Sequence, residues 1–99
     1  MKTGPEKFLE DTFCDYLSEL HGALCLKLRI DGSNGFPDRS IITPECIFFI
    51  EFKSPRGRLS PRQKEWIRVL RDMRFTVFVI SDFHDGAEAV EEWMREEEE

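Results

Sequence analysis

The segment 46–53, Cys-Ile-Phe-Phe-Ile-Glu-Phe-Lys, restricts the fold more than any other stretch of this chain. As a strand it carries apolar side chains on both faces until Glu51 and Lys53 interrupt it. Such a strand is covered on both sides, so helices are expected on each face of the sheet that contains it. The 99 residues suffice for one such domain, spanning 1–99, and nine Phe and two Trp supply the apolar volume for its core. Intrinsic disorder is thereby excluded. No apolar run approaches the ~20 residues of a membrane span, and the first residues lack signal-peptide character, so an intracellular, cytoplasmic protein without membrane association is expected. Cys14, Cys25 and Cys46 form no CxxC and have neither His21 nor His84 at ligand spacing. Free thiols fit better than disulfides or zinc.

Around the central strand the pattern alternates between helical and extended periods. Gly4-Pro5 opens a helix, with Thr3 and Glu6 placed as a capping box, and Leu9, Phe13, Tyr16, Leu17 and Leu20 form its apolar stripe up to His21-Gly22. Ala23–Ile30 alternates Leu24, Leu26, Leu28 and Ile30 against Cys25, Lys27 and Arg29, a half-buried strand, before a loop at Asp31–Gly35. Asp38–Thr43 and Cys46–Lys53 read as two strands about a turn at Pro44-Glu45. Ser60-Pro61 starts a second helix whose buried stripe is expected at Trp66, Leu70 and Met73. Phe75–Ile80 is a strand, and Asp85 to about Glu96 a last helix through Ala89, Val90 and Trp93. The order is αβββαβα.

Charge is divided unevenly along the chain. Residues 82–99 hold nine acids and one base, a net of -8, whereas Lys53–Arg74 holds eight bases and two acids, a net of +6. Most charge runs are solvated helix faces, but this density suits a polyanionic partner. The acidic end, 96–99, is expected to face away from such a partner or to be a disordered solubilising tail.

Two carboxylates and a lysine carry the chemistry. Glu51 and Lys53 are two apart on a strand and share a face with Ile47 and Phe49. If the hairpin turns at Pro44-Glu45, Thr43 faces Cys46, and counting back sets Asp38 opposite Glu51, ~4.5–5.5 Å apart. Like charges so close repel, and a divalent cation relieves them; oxygen-only ligands suit Mg²⁺ or Mn²⁺. Lys53 beside them would orient or deprotonate a water, or stabilise phosphoryl charge. The same residues also fit a Glu51–Lys53 ion pair at a strand end, with Asp38 capping a loop. Ser60-x-x-Gln63 is a capping box in its own right.

Gly35-Phe36-Pro37-Asp38-Arg39, Phe49-Ile50-Glu51-Phe52-Lys53-Ser54-Pro55 and Gly57-Arg58-Leu59-Ser60-Pro61-Arg62-Gln63-Lys64 together resemble the VRR-NUC domain, a branch of the PD-(D/E)xK nuclease superfamily. The resemblance runs in order from Glu6 to about Trp93. It implies the restriction-endonuclease-like α/β core, a mixed sheet flanked by helices, and Mg²⁺- or Mn²⁺-dependent hydrolysis of DNA phosphodiesters. By position it makes Asp38 and Glu51 metal ligands together with the backbone carbonyl of Phe52, Lys53 the catalytic lysine, and Gln63 the helix glutamine of the site. The first-helix acid falls best on Glu10, with Glu6 the second candidate. Stand-alone domains of this kind, often encoded by phages and bacteria, resemble homodimeric endonucleases of four-way (Holliday) junctions and other branched DNA. Arg56, Arg58, Lys64, Arg68 and Arg71 are the expected phosphate contacts, giving affinity without sequence specificity. The rival expectation is a catalytically idle adaptor on the same fold that binds DNA or protein.

Overall fold

The computed structural model describes residues 4–98, so Thr3 of the expected capping box and Glu99 lie outside it. Seven elements follow the expected order: α1 (Gly4–His21), β1 (Leu24–Leu26), β2 (Arg39–Ile42), β3 (Ile47–Phe52), α2 (Pro61–Asp72), β4 (Thr76–Ile80) and α3 (Phe83–Glu98). The sheet order is β1-β2-β3-β4; β1, β2 and β3 pair antiparallel, and β4 runs parallel to β3 after the α2 crossover. A parallel neighbour requires such a crossover, and the helix it uses covers one face of the sheet.

The two faces of β3 feed two separate cores. Phe48, Ile50 and Phe52 join Phe13 and Leu17 of α1 and Val90 and Met94 of α3, all buried. Phe49 packs on the opposite face with Val77 and with Ile67 and Leu70 of α2. The doubly apolar strand is thus covered on both sides, as its sequence demanded. Cys14 is buried, Cys25 and Cys46 are half-buried, and all three are free thiols.

The expected stripes shift in detail. In α1 the inward residues are Glu10, Phe13, Cys14 and Leu17, and Leu20 points outward. In α2 Met73 is exposed, and the stripe runs through Ile67 and Leu70. In α3 Val90 and Met94 are buried, Trp93 is half-buried and Ala89 is exposed. Strand β1 is only three residues long, and its leucines face out while Cys25 turns toward the core. The reason is coverage: the α2 packing contacts fall on Phe49 and Val77 of β3 and β4, which leaves Leu24, Leu26 and Ile47 exposed on that side. The acidic end forms the last turn of α3 as far as Glu98 instead of a disordered tail.

The segment 33–37 is pinned to α2. Trp66 Nε1 donates to Ser33 Oγ at 3.3 Å, and Phe36 lies edge-on to Trp66 and Phe49 with centroids 5.1 and 5.7 Å away. Gly35 sits at φ +89, and a Cβ there would lie 2.8 Å from the Arg62 backbone carbon. Gly35→Ala should therefore cost about 1–3 kcal/mol, from a left-handed conformation and a backbone clash together. Chemical denaturation would measure it; a loss below a few tenths would mean the loop is not held there.

Glu91 links α3 to α1. Its carboxylate accepts a hydrogen bond from the Tyr16 hydroxyl, and His21 Nε2 lies 2.6 Å from Oε2. Burial pushes the Glu91 carboxyl up, but the hydrogen bonds to His21 and Tyr16 outweigh it and hold it below the ordinary 4.5. A carboxyl lowered by folding stabilises above its unfolded pKa, and that contribution fades as pH falls through the lowered folded value. Glu91→Gln should consequently melt below the parent at pH 7, with the difference closing as pH is taken downward from about 4.5. A difference independent of pH in thermal melts would show that the charge is not its source.

Candidate active site

The hairpin register decides where the carboxylates meet. Ile42 pairs with Ile47, Ile41 with Phe48, Ser40 with Phe49 and Arg39 with Ile50. The turn is closed by the Thr43 amide donating to the Cys46 carbonyl at 2.9 Å, with Thr43 Oγ1 accepting from the amides of Glu45 and Cys46. The ladder is therefore the expected one, and its continuation sets Asp38 across from Glu51. Asp38 Oδ2 accepts the Phe52 amide at 2.7 Å, which ties the residue before β2 to the end of β3.

Glu51 is 1% exposed, a burial that a carboxylate reaches only at a cost in desolvation. Its Oε2 accepts from Gln63 Nε2 at 3.0 Å. The other end of the Gln63 amide accepts the Ser60 amide at 2.8 Å, and its own backbone N–H donates to Ser60 Oγ at 3.2 Å. The capping box and the contact with Glu51 thus use one side chain for both tasks, and they fix which way its amide points.

Lys53 follows the last residue of β3, its amide donating to the Ile80 carbonyl at 2.9 Å. The turn after it folds back: the Gly57 amide donates to the Ser54 carbonyl at 2.9 Å, and a Cβ on Gly57 would meet Lys53 Cδ at 3.3 Å. A side chain at Gly57 would thus press on Ser54 Oγ and on the Lys53 stem. Lys53 lines a small cleft of about 140 Å³ shared with Pro5, Glu6 and Leu9 of α1 and Asp82 and Phe83 at the start of α3.

The two first-helix carboxylates part company. Glu10, 3% exposed, lies 2.6 Å from Arg39 Nε and 3.9 Å from Lys27 Nζ. Arg39 pairs with Ile50 and so belongs to the α1 side of the sheet, opposite the face of Phe49 and Glu51. Burial works against the Arg39 charge, but the hydrogen bond to Glu10 outweighs it and holds the guanidinium above its ordinary pKa. The structure brings Glu6, and not Glu10, to the cleft of Lys53.

The expected phosphate contacts divide as well. Arg56 and Arg58 are exposed on the turn after Lys53, and Lys64 is exposed on α2. Arg68 is committed along the helix, with Nη2 2.6 Å from Glu65 and Nη1 2.7 Å from Asp72. Arg71 Nη2 donates to the Val77 carbonyl at 2.7 Å. Lys64, Arg68 and Arg71 follow Gln63, Ile67 and Leu70 by one residue each, about 100° round the helix. They border the buried stripe beside β4 and do not occupy the far side of α2.

For a cation the donors are oxygens only: two carboxylates opposed across the hairpin and the adjoining Phe52 carbonyl. Among the described residues no three His, Cys, Asp or Glu side chains converge on a metal site. Two carboxylates are the number with which Mg²⁺ is commonly held, the rest of its octahedron being water and phosphate. Ser40, on the same face two residues from Asp38, adds a buried hydroxyl with no hydrogen-bond partner among the described residues. Sequence reasoning passed it over, because a serine in a strand carries no signal until its neighbours are known. This donor set fits a hard divalent cation.

The family model described as the VRR-NUC domain matches residues 8–81. A solved structure titled "VRR_NUC domain" has a TM-score of 0.82 and 26% identity to this chain, covering 90% of it and 97% of the solved chain. No curated protein matches.

Proposed function

The chain belongs to the VRR-NUC family and has its nuclease-type α/β fold, and from this we propose that it is a divalent-metal-dependent DNA endonuclease acting on branched DNA as a homodimer. The observation that carries this reading is the meeting of Asp38 and Glu51 at the end of the β2–β3 hairpin, two residues before Lys53, with Glu51 clamped by Gln63. Asp38, Glu51 and the Phe52 carbonyl would hold Mg²⁺ or Mn²⁺. The bound cation would supply Lewis-acid polarisation of the scissile phosphate and a lowered pKa for water.

The remaining work falls to the chain itself. Gln63 keeps the Glu51 carboxylate oriented, and the Phe52 amide does the same for Asp38. The Lys53 ammonium orients the attacking water and offsets charge that develops on the phosphoryl oxygens. Glu6, in the cleft of Lys53, fits the role of the first-helix acid; Glu10 anchors α1 to Arg39. Arg56, Arg58, Lys64 and Arg71 contact backbone phosphates, whereas Arg68 is held by Glu65 and Asp72.

Cleavage of end-labelled four-way-junction, flap and linear duplex DNA with Mg²⁺ or Mn²⁺ tests the proposal. Paired symmetric nicks confined to the junction are expected of a homodimer that presents two sites to two strands. Equal cutting of all three substrates would leave a general nuclease. Binding without cutting would support the adaptor on the same fold.

A further inference from the structure

We propose that the groove walled by residues 27–38, running from the end of β1 to Asp38, receives the sugar-phosphate backbone of the DNA strand that is cut, with Lys27 and Arg29 as its phosphate-binding cations. The proposal deepens the nuclease reading and rests on it. The groove encloses about 580 Å³, and its lining begins at Lys27 and ends at Asp38. A strand lying in it would therefore run directly onto the carboxylate pair.

Three features suit the groove to a polyanion. Arg29 is exposed and makes no ion pair among the described residues. Lys27 is 59% exposed and only 3.9 Å from its nearest acid, Glu10, whose principal partner is Arg39 at 2.6 Å. The wall is also fixed in advance by the Ser33–Trp66 bond, the seating of Gly35 against Arg62 and the edge-on packing of Phe36. A preformed wall spares the ordering cost of binding. Asp31 is the one acid of the groove besides Asp38, so strand contacts belong to the Lys27–Arg29 side.

On α2, Arg68 is already flanked by Glu65 and Asp72. A path along 27–38 thus carries DNA past Arg29 and Lys27, neither of which is held in a close ion pair among the described residues.

The test compares the full chain with the Lys27→Ala/Arg29→Ala double variant in fluorescence anisotropy with a labelled four-way junction, across a salt series. Binding should weaken roughly tenfold or more, and the slope of log K against log salt should fall by roughly 2, one phosphate contact per residue. Lys27→Arg/Arg29→Lys should restore both. Mg²⁺ or Mn²⁺ titrations by calorimetry should match the parent, separating loss of strand binding from damage at Asp38. Arg95→Ala, which removes one positive charge within α3, should change binding by less than twofold. If the parent binds and cuts DNA while the double variant keeps its affinity and salt slope, the groove assignment is overturned and the nuclease reading stands. If the parent neither binds nor cuts any DNA, both fall.

Discussion

Lys53→Ala should lower the single-turnover cleavage rate by about 10²–10⁴-fold while leaving DNA affinity within about twofold. The residue is anchored by its backbone, through the bond from its amide to the Ile80 carbonyl, so removing the side chain does not loosen β3. What disappears is one ammonium, from the cleft that Lys53 shares with Glu6 and Asp82. Such a charge acts on the reacting phosphate and on the water beside it, so its loss belongs in kcat and not in binding. Lys53→Arg is not expected to rescue the rate. A guanidinium spreads its charge over a planar fork and does not set a compact ammonium at the same point. Cleavage by Lys53→Ala at the parent rate would remove the lysine from the chemistry.

The second large effect concerns the carboxylates. Glu51→Gln and Asp38→Asn should each abolish the stabilisation that divalent cations give the parent, and with it cleavage. Binding of a ligand to the folded state alone adds about 2.7 kcal/mol at a hundred times its Kd, so the parent's Tm should climb with Mg²⁺ or Mn²⁺ and the variants' should not. Both replacements preserve shape, and an asparagine oxygen at 38 still accepts the Phe52 amide. Without metal, neutralising one of two opposed carboxylates relieves their repulsion, so Glu51→Gln should melt no lower than the parent. A variant that kept the metal-dependent rise would show that the cation sits elsewhere.

Much of this was legible in the sequence for a physical reason. The hairpin from residue 38 to 53 is a local structure in which a short turn and alternating side chains leave few registers, and the pairing of Ile42 with Ile47 is the expected one. Gln63 was doubly marked, by the capping box and by its place after the Gly-Arg-Leu-Ser-Pro run. The phase of α2 was not legible. Trp66, Leu70 and Met73 and the pair Ile67 and Leu70 both satisfy helical spacing and share Leu70, and only the docking of α2 on Phe49 and Val77 chooses between them. The same holds for Glu6 and Glu10, one turn apart on one helix. Their sorting depends on Arg39, which reaches α1 from a different strand. The leucines of β1 alternate like a buried face, but burial needs a covering layer, and periodicity does not reveal where α2 stops.

The Thr43–Cys46 turn lies at the far end of the hairpin from Asp38, some five residues or roughly 17 Å away. Because every pair along the ladder is counted from that turn, it acts as the zero mark of a ruler. Substitutions there that keep the count leave the far end undisturbed. Adding or deleting a single residue moves each β2 side chain to the other surface, exchanging the positions of Asp38 and its neighbours while the layers around the sheet survive. A residue added or removed at the turn is thus felt at the far end of the hairpin, where Asp38 meets the end of β3.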